Sequence, residues 1–347
     1  MPDPEIYNWY SKKKSPVDFN VNSRFYAMNT IGQGAYGTVA SALDLKTGQR
    51  VAIKKISSMD LPTMALRTLR EIRILRYLNH ENIINILDIE QYIIQPLIEW
   101  DLHNIMCKMK FEERAIAFVV YQLFCGLKYM HAAQIIHRDI KPSNILIARD
   151  YTIKICDFGL ARVFNEKEET DPMCLTEYVA TRWYRAPEVM IASRRYDKAI
   201  DIWSVGCILA ELLGSSPPYV LFPGKHYMEM LKMMISVLGT PTMEDLTYVV
   251  NEKARDFVLR QAKATRVDWW AKFPSSSWAS CDLLDRILTF NPTKRIKVDE
   301  ALNHPFLDGF PETEDYYFED TLSFENNFGN INSEQAKMLI AREIVKK

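Results

Sequence analysis

The chain has no pair of cysteines at C-x-x-C spacing. Its six, Cys107, Cys125, Cys156, Cys174, Cys207 and Cys281, are scattered, which argues against both a disulfide framework and a zinc site. Its six histidines form no metal-ligand cluster. Excess charge of one sign is also missing: 43 Lys and Arg against 44 Asp and Glu leave a net charge of −1. Nothing global therefore points to nucleic acid or a membrane surface. Apolar runs are broken by polar residues before they reach membrane-spanning length. The start, Met1-Pro2-Asp3-Pro4-Glu5, has neither a basic nor an apolar leader region. The expected compartments are the cytoplasm and nucleus. What remains is ordinary globular composition, 48% hydrophobic and 25% charged over 347 residues, enough for two domains or one domain in two lobes.

The most informative stretch runs from Ile136 to Arg162. It contains His137-Arg138-Asp139, then Lys141 and Asn144, then Asp157-Phe158-Gly159, and its Tyr151–Ile155 alternation reads as a strand. Two carboxylates, an amide and an ammonium are the kit that phosphoryl transfer needs. Asp157 and Asn144 can hold Mg²⁺ on nucleotide phosphates, Lys141 can neutralise the travelling phosphoryl group, and Asp139 can orient a hydroxyl and accept its proton. A single such acid is most often solvated or salt-bridged. The whole set at these offsets is not.

Upstream, Ile31 to Val39 carries Gly32, Gly34 and Gly37 in a Gly-x-Gly-x-x-Gly turn. Alone that pattern also opens dinucleotide-binding folds, where it runs into a helix. Here it runs into Val39 and, after Thr47-Gly48, into Val51-Ala52-Ile53-Lys54, so it is expected to be a hairpin lying over phosphates. Lys54 then needs an acid. Leu66 to Leu78 has helical periodicity and carries Glu71 among Arg67, Arg70, Arg73 and Arg76. Glu71 pairs either with Lys54 or with Arg67 or Arg73 on a solvated face. Ile83 to Ile94 predicts two shortened strands joined at Asp88 to Gln91, and Phe111 to Ala132 a long scaffold helix. Ile200 to Leu213 is apolar on nearly all sides, the mark of a buried helix, with Asp201 expected to hydrogen-bond the loop that carries Asp139. Glu188 is expected to bridge to Arg295.

The Ile136–Arg162 stretch resembles the catalytic and metal-binding loops of eukaryotic protein kinases. Thr176-Glu177-Tyr178, followed by Val179 through Glu188, narrows this to the activation segment of mitogen-activated protein kinases of the extracellular-signal-regulated type. The resemblance covers Phe25 to Lys347. It implies an α+β, bilobal protein kinase fold: a small, mostly antiparallel β lobe with one helix over 24–95, a hinge over 96–101, and a large helical lobe over 102–307. Residues 1–23 would be a mobile lead-in, 224–273 a kinase-group insert, and 308–347 an extension packing back on the small lobe. ATP and Mg²⁺ are the implied cofactors. Adenine would meet the Pro96 carbonyl and the Ile98 N–H, with Gln95 limiting the pocket and Asp101 reaching the ribose. Ile31, Gly32, Gly34, Gly37, Val39, Ala52 and Leu146 would complete the site.

The same resemblance implies activation by phosphorylation. Each phosphate adds about −1.5 to −2 charge and three acceptor oxygens. One on Thr176 could gather Arg70, Arg138 and Arg162, and one on Tyr178 could pair with Arg182 and Arg185. The substrates implied are Ser/Thr-Pro sites in proteins. Glu312 and Asp315 match docking positions for basic motifs on substrates, phosphatases and an upstream dual-specificity kinase. Tyr151 stands where relatives carry a small groove residue. Met190, Ile191, Tyr227, Met228, Leu231 and Phe257 would line an aromatic docking pocket, although such a stripe also fits a core. A monomer without nucleic-acid or membrane partners is expected. The final segment reads as a helix with Asn332 or Ser333 as N-cap and Gln335 near its third position. The alternatives are a pseudokinase scaffold acting through docking surfaces and a cyclin-dependent type of proline-directed kinase.

Overall fold

A computed structural model describes residues 21, 23–34, 37–56, 61–90, 92–164, 182–191, 197–214, 219–318 and 332–345. They form two compact units. One comprises residues up to Glu99, Asp157–Leu160 and the C-terminal helix; the other comprises Trp100–Cys156 and residues from Ala161 to 318.

The first unit is built on an antiparallel sheet of β1 (Phe25–Gly34), β2 (Gly37–Asp44), β3 (Arg50–Ile56), β4 (Asp88–Ile89) and β5 (Tyr92–Pro96), in the order β1-β2-β3-β5-β4. Alternation along β3 sends Val51 and Ile53 into a core with Phe25, Ala42, Tyr92 and Ile94. Lys54 therefore lies on the opposite face, registered between Val39 and Ile93. The β2–β3 turn is closed by Gly48 at φ 70°, where a side chain would be strained. Helix α1 (Pro62–Tyr77) starts with Pro at its first turn. Its Ala65, Leu69 and Ile72 pack with Ile89, Ile93 and two residues of the C-terminal helix, Ala336 and Ile340. Each large side chain buried there contributes roughly 1.5–3 kcal/mol.

The two shortened strands differ from expectation in register. The turn expected over Asp88 to Gln91 contains β4 itself, since Asp88 pairs with Ile94 and Ile89 with Ile93. Ile83 and Ile84 are buried outside the five strands. Asp88 is held there by the Arg24 guanidinium at 2.7 Å, a contact invisible to local patterning.

In the second unit, β6 (Trp100–Asp101) pairs with β8 (Ile145–Ile147), which pairs with β9 (Ile153–Ile155), while β7 (Ile135–Ile136) pairs with β10 (Arg162–Val163). The helices are α2 (Leu102–Met106), α3 (Glu113–Ala132), α4 (Pro187–Met190), α5 (Ala199–Leu213), α6 (Tyr227–Leu238), α7 (Glu252–Leu259), α8 (Trp269–Lys272), α9 (Trp278–Ile287) and α10 (Val298–Leu302). Helix α5 is buried from Ile200 to Leu213, as its composition predicts. It approaches α9 so closely at Gly206 that any Cβ there would collide with Ile287. By length and composition α3 alone among the described helices could cross a membrane, but it is largely core here. Residues 308–318 lie along α3: Phe310 stacks on Phe118 and Tyr121, and Tyr129 meets Tyr316 and Phe318 edge-on.

The C-terminal helix α11 (Ser333–Val345) belongs to the first unit. Asn332 is its cap: its side chain accepts from the Gln335 N–H at 2.9 Å, and the Gln335 side chain accepts from the Asn332 N–H at 3.1 Å.

Candidate active site

Two groups of side chains answer the expectation, one in each unit. In the first unit, β3 presents Lys54 to Glu71 of α1, with Nζ donating to both carboxylate oxygens at 2.6 and 2.8 Å. Of the partners open to Glu71, the structure selects Lys54. Burial pushes the Glu71 carboxyl up from its ordinary value, the Lys54 ammonium opposes this, and the Asp157 charge adds to the rise. Lys54 Nζ also lies 3.9 Å from Asp157, whose side chain is about a third exposed. Asp157 has φ 65°, a left-handed conformation uncommon outside glycine. A tight turn, Phe158–Leu160, follows it, and Arg70 of α1 donates to the Gly159 carbonyl at 2.9 Å.

The nucleotide-facing residues expected in this unit fall on β1, β2, β3 and β5. Gly34 pairs with Gly37 across the β1–β2 turn, Gly32 with Val39, and Ile31 is exposed. Ala52 registers with Gln95 and Val51 with Pro96, and Ile98 follows β5. The Gln95 side-chain Nε2 is buried with no hydrogen-bond partner among the described residues, so it has a donor to offer an acceptor from outside this set.

In the second unit, the segment from His137 to Asn144 is organised around one buried acid. Asp201 of α5 is fully buried and accepts from the His137 N–H at 2.8 Å and the Arg138 N–H at 2.9 Å, one on each oxygen. The His131 Nε2–H adds a third bond at 3.1 Å. Burial alone would raise this carboxyl; the His131 hydrogen bond, the electrostatic attraction of the His131 and His137 rings and the His137 amide outweigh it and hold it below its ordinary value. The expected anchor is therefore present, and it holds Arg138 at φ 69°. His137 is buried, its Nε2 donating to the Cys156 carbonyl and its Nδ1 accepting from the Asp139 N–H, a structural role. Asp139 follows, largely buried. Its Oδ2 accepts from Lys141 Nζ at 2.7 Å and from Asn144 Nδ2 at 3.0 Å, while Nδ2 also holds the Asp139 carbonyl at 2.8 Å. The Asn144 carbonyl accepts from the Cys156 N–H, tying this loop to the residue before Asp157. Leu146 sits on β8 opposite Asp101.

Asp101, expected to reach the ribose, also has a local role. Its carboxylate caps α2, accepting from the backbone N–H and the side chain of Asn104. This is what an Asp before a helix does, and the local sequence carries that signal.

Each unit, taken by itself, carries an oxygen donor of the kind Mg²⁺ takes. Asp157 offers a partly exposed carboxylate, and Asn144, with its amide N–H directed to Asp139, offers its amide oxygen; both are the hard oxygen ligands that Mg²⁺ takes. Among the described residues no cluster of three or more His, Cys, Asp or Glu could hold a metal by itself. A Mg²⁺ site needs no such cluster, because Mg²⁺ is usually bound through one or two carboxylates together with waters and substrate phosphates.

Of the regulatory residues, Thr176 and Tyr178 lie outside the described residues. Arg70 belongs to the first unit, Arg138 and Arg162 to the second, and Arg162 donates to the Ala161 carbonyl. Arg185 donates to the Tyr227 hydroxyl at 2.9 Å and Arg182 lies over that ring at 5.4 Å. Leu231, expected in an aromatic docking pocket, is buried, whereas Met228 is exposed. Tyr151 meets Phe111 edge-on at 5.7 Å. Glu312 is exposed, and Asp315 is held by Lys128 at 2.9 Å, which also bonds Asp299 and Thr313. Nothing local in the sequence pointed to Lys128, 187 positions away from Asp315. Glu188 and Arg295 form the expected bridge, bidentate at 2.8 and 3.0 Å and fully buried.

A family model for the protein kinase domain matches residues 25–307. A mitogen-activated protein kinase of Fusarium vanettenii is 44% identical over 345 residues, covering 95% of this chain and 96% of that protein. The chain belongs to the mitogen-activated protein kinases. Similar figures hold for mpkB of Aspergillus fumigatus, 44% identical over 95% of this chain and 97% of that protein. Another relative, mpk-1 of Caenorhabditis elegans, is 45% identical over 94% of this chain and 75% of its own length. As a mitogen-activated protein kinase the chain is a Ser/Thr protein kinase of a signalling cascade, with an upstream kinase before it and protein substrates after it. Membership also implies ATP as phosphoryl donor, with Mg²⁺ the usual metal.

Proposed function

We propose a proline-directed Ser/Thr kinase that is switched on by phosphorylation of both Thr176 and Tyr178. The observation that carries the catalytic part is the pair of prepared groups: Lys54 locked to Glu71 at 2.6 Å beside Asp157, and Asp139 held by Lys141 and Asn144. Lys54 binds the α- and β-phosphates, and Glu71 sets its position. Lys141 and Asn144 both engage Oδ2 of Asp139, which leaves Oδ1 to accept the proton of a substrate hydroxyl as its oxygen bonds to the γ-phosphorus and ADP departs. Lys141 neutralises the transferring group. Mg²⁺, held through Asp157 and Asn144, would screen charge on the nucleotide phosphates.

The switch is supported by the placement of arginines. Arg70 sits on the helix that carries Glu71, one residue before it, so an anion drawing on Arg70 acts on the helix that sets Lys54. Arg138 immediately precedes Asp139. Phosphate on Tyr178 would pair with Arg182 and Arg185. Exposed Glu312 and Asp315 provide docking for basic motifs of substrates, phosphatases and the dual-specificity activator. The protein would act as a monomer in the cytoplasm and nucleus, compartments that suit the free thiols of its described cysteines.

The test is phosphate transfer from MgATP to paired Ser-Pro and Ser-Ala peptides. Unmodified chain, chain phosphorylated on both Thr176 and Tyr178, and a phosphorylated Asp139→Asn control would be compared. Strong Ser-Pro turnover only in the doubly phosphorylated wild type is expected. Equal turnover of both peptides refutes the specificity, and equal turnover in both phosphorylation states refutes the switch.

A further inference from the structure

Helix α1 carries Glu71, and its position relative to Lys54 has little tolerance. Lys54 Nζ is 2.6 Å from Glu71 and 3.9 Å from Asp157, so a displacement of about 1 Å would remove its preference for Glu71. What holds α1 is therefore a catalytic question. Its contacts with α11 through Ala65, Leu69, Ile72, Ala336 and Ile340 are apolar, and apolar burial is non-directional. Such a surface allows small rotations of α1 about its own axis.

A polar contact between α1 and α11 opposes that rotation. Glu343 of α11 is only 5% exposed, and its two oxygens take Arg73 Nε at 3.0 Å and Arg76 Nη1 at 3.5 Å. Successive helical residues are about 100° apart, so Arg73 projects roughly 200° around α1 from Glu71. A rotation that withdraws Glu71 from Lys54 must also pull Arg73 from Glu343. We infer that Glu343 is a positioning residue for phosphoryl transfer, clamping α1 through Arg73 and Arg76 so that Glu71 stays on Lys54. The inference rests on the reading that the Lys54–Glu71 pair serves catalysis.

The test uses the full chain with every variant brought to the same phosphorylation state, checked by mass spectrometry. Steady-state kinetics would compare wild type, Glu343→Gln, Glu71→Gln and the double variant. Glu343→Gln should lower kcat by on the order of tenfold to a hundredfold, the range for misplacing a catalytic group by about 1 Å, with a smaller change in KM for ATP. Added to Glu71→Gln, it should cost nothing further, because the group it positions is already gone. The charge swap Glu343→Arg with Arg73→Glu and Arg76→Glu should recover activity that Glu343→Arg alone loses. An equal fold loss in the wild-type and Glu71→Gln backgrounds would mean a merely structural role and overturn the inference. So would unchanged kcat in Glu343→Gln. If Glu71→Gln by itself retains full kcat, the Lys54–Glu71 reading fails first and takes the clamp with it.

Discussion

Replacing Asp201 by asparagine tests how far one buried acid controls the catalytic loop. Its two oxygens take one backbone N–H each, at 2.8 Å from His137 and 2.9 Å from Arg138. An asparagine keeps one acceptor and turns an N–H₂ toward the other donor. One backbone hydrogen bond to a charged acceptor, worth about 1.5–3 kcal/mol, is lost, and the other backbone bond and the His131 bond at 3.1 Å compete for a single neutral acceptor. The expected stability loss is about 3 kcal/mol. The Arg138 amide is held at φ 69°, a conformation costing roughly 1–2 kcal/mol for a residue with a side chain. Without its hydrogen bond the loop relaxes, and Asp139 is the next residue. Misplacing Asp139 by about 1 Å would lower kcat about a hundredfold. KM for ATP should change little, because Lys54 and Glu71 belong to the other unit. Steady-state kinetics with varied MgATP and peptide, alongside urea denaturation, would measure both effects. A variant within twofold of wild-type kcat and within about 0.5 kcal/mol in stability would refute the reasoning.

Arg295→Met leaves Glu188 charged and buried, having lost bonds at 2.8 and 3.0 Å; a loss of about 3–5 kcal/mol in denaturant titration is expected, partly recovered by adding Glu188→Leu. Asp44 is buried, and the Arg24 guanidinium, working against burial, holds it well below the ordinary carboxylate value of 3.8. Its contribution is therefore complete above that value and lost as pH falls beneath it. Asp44→Asn should cost on the order of 2 kcal/mol at pH 7 and flatten the acid limb of a stability–pH profile; an unchanged limb would contradict the assignment. Lysine at both Glu312 and Asp315 should weaken binding of a basic peptide in a titration while sparing turnover of short peptides, and equal losses in both assays would remove the docking assignment.

The geometry of the loop around Asp139 is legible in the sequence because its contacts are short-range along the chain. Lys141 and Asn144 lie two and five positions from Asp139, so the loop that joins them leaves few ways to arrange them. The Gly32–Gly37 hairpin is equally legible, since the run into Val39 and then Val51–Lys54 admits two antiparallel strands and no helix. The buried helix around Asp201 follows from composition alone.

Other features depend on chain segments that only folding brings together. Glu71 has two candidate arginines, Arg67 and Arg73, near it on its own helix, and the choice of Lys54 comes from β3 and α1 sharing one unit. Asp88 enters a strand because Arg24, 64 positions earlier, holds its carboxylate. Asp315 is engaged by Lys128, and Arg73 by Glu343 across 270 positions. The left-handed turns at Arg138 and Asp157 carry no glycine to announce them; Asp201 fixes the first from another helix. Hydrophobic periodicity and motif spacing specify which residues face inward and what chemistry they carry. The partner of each buried charge is chosen by desolvation, which makes an unpaired one costly and selects whichever opposite charge the packed elements bring near.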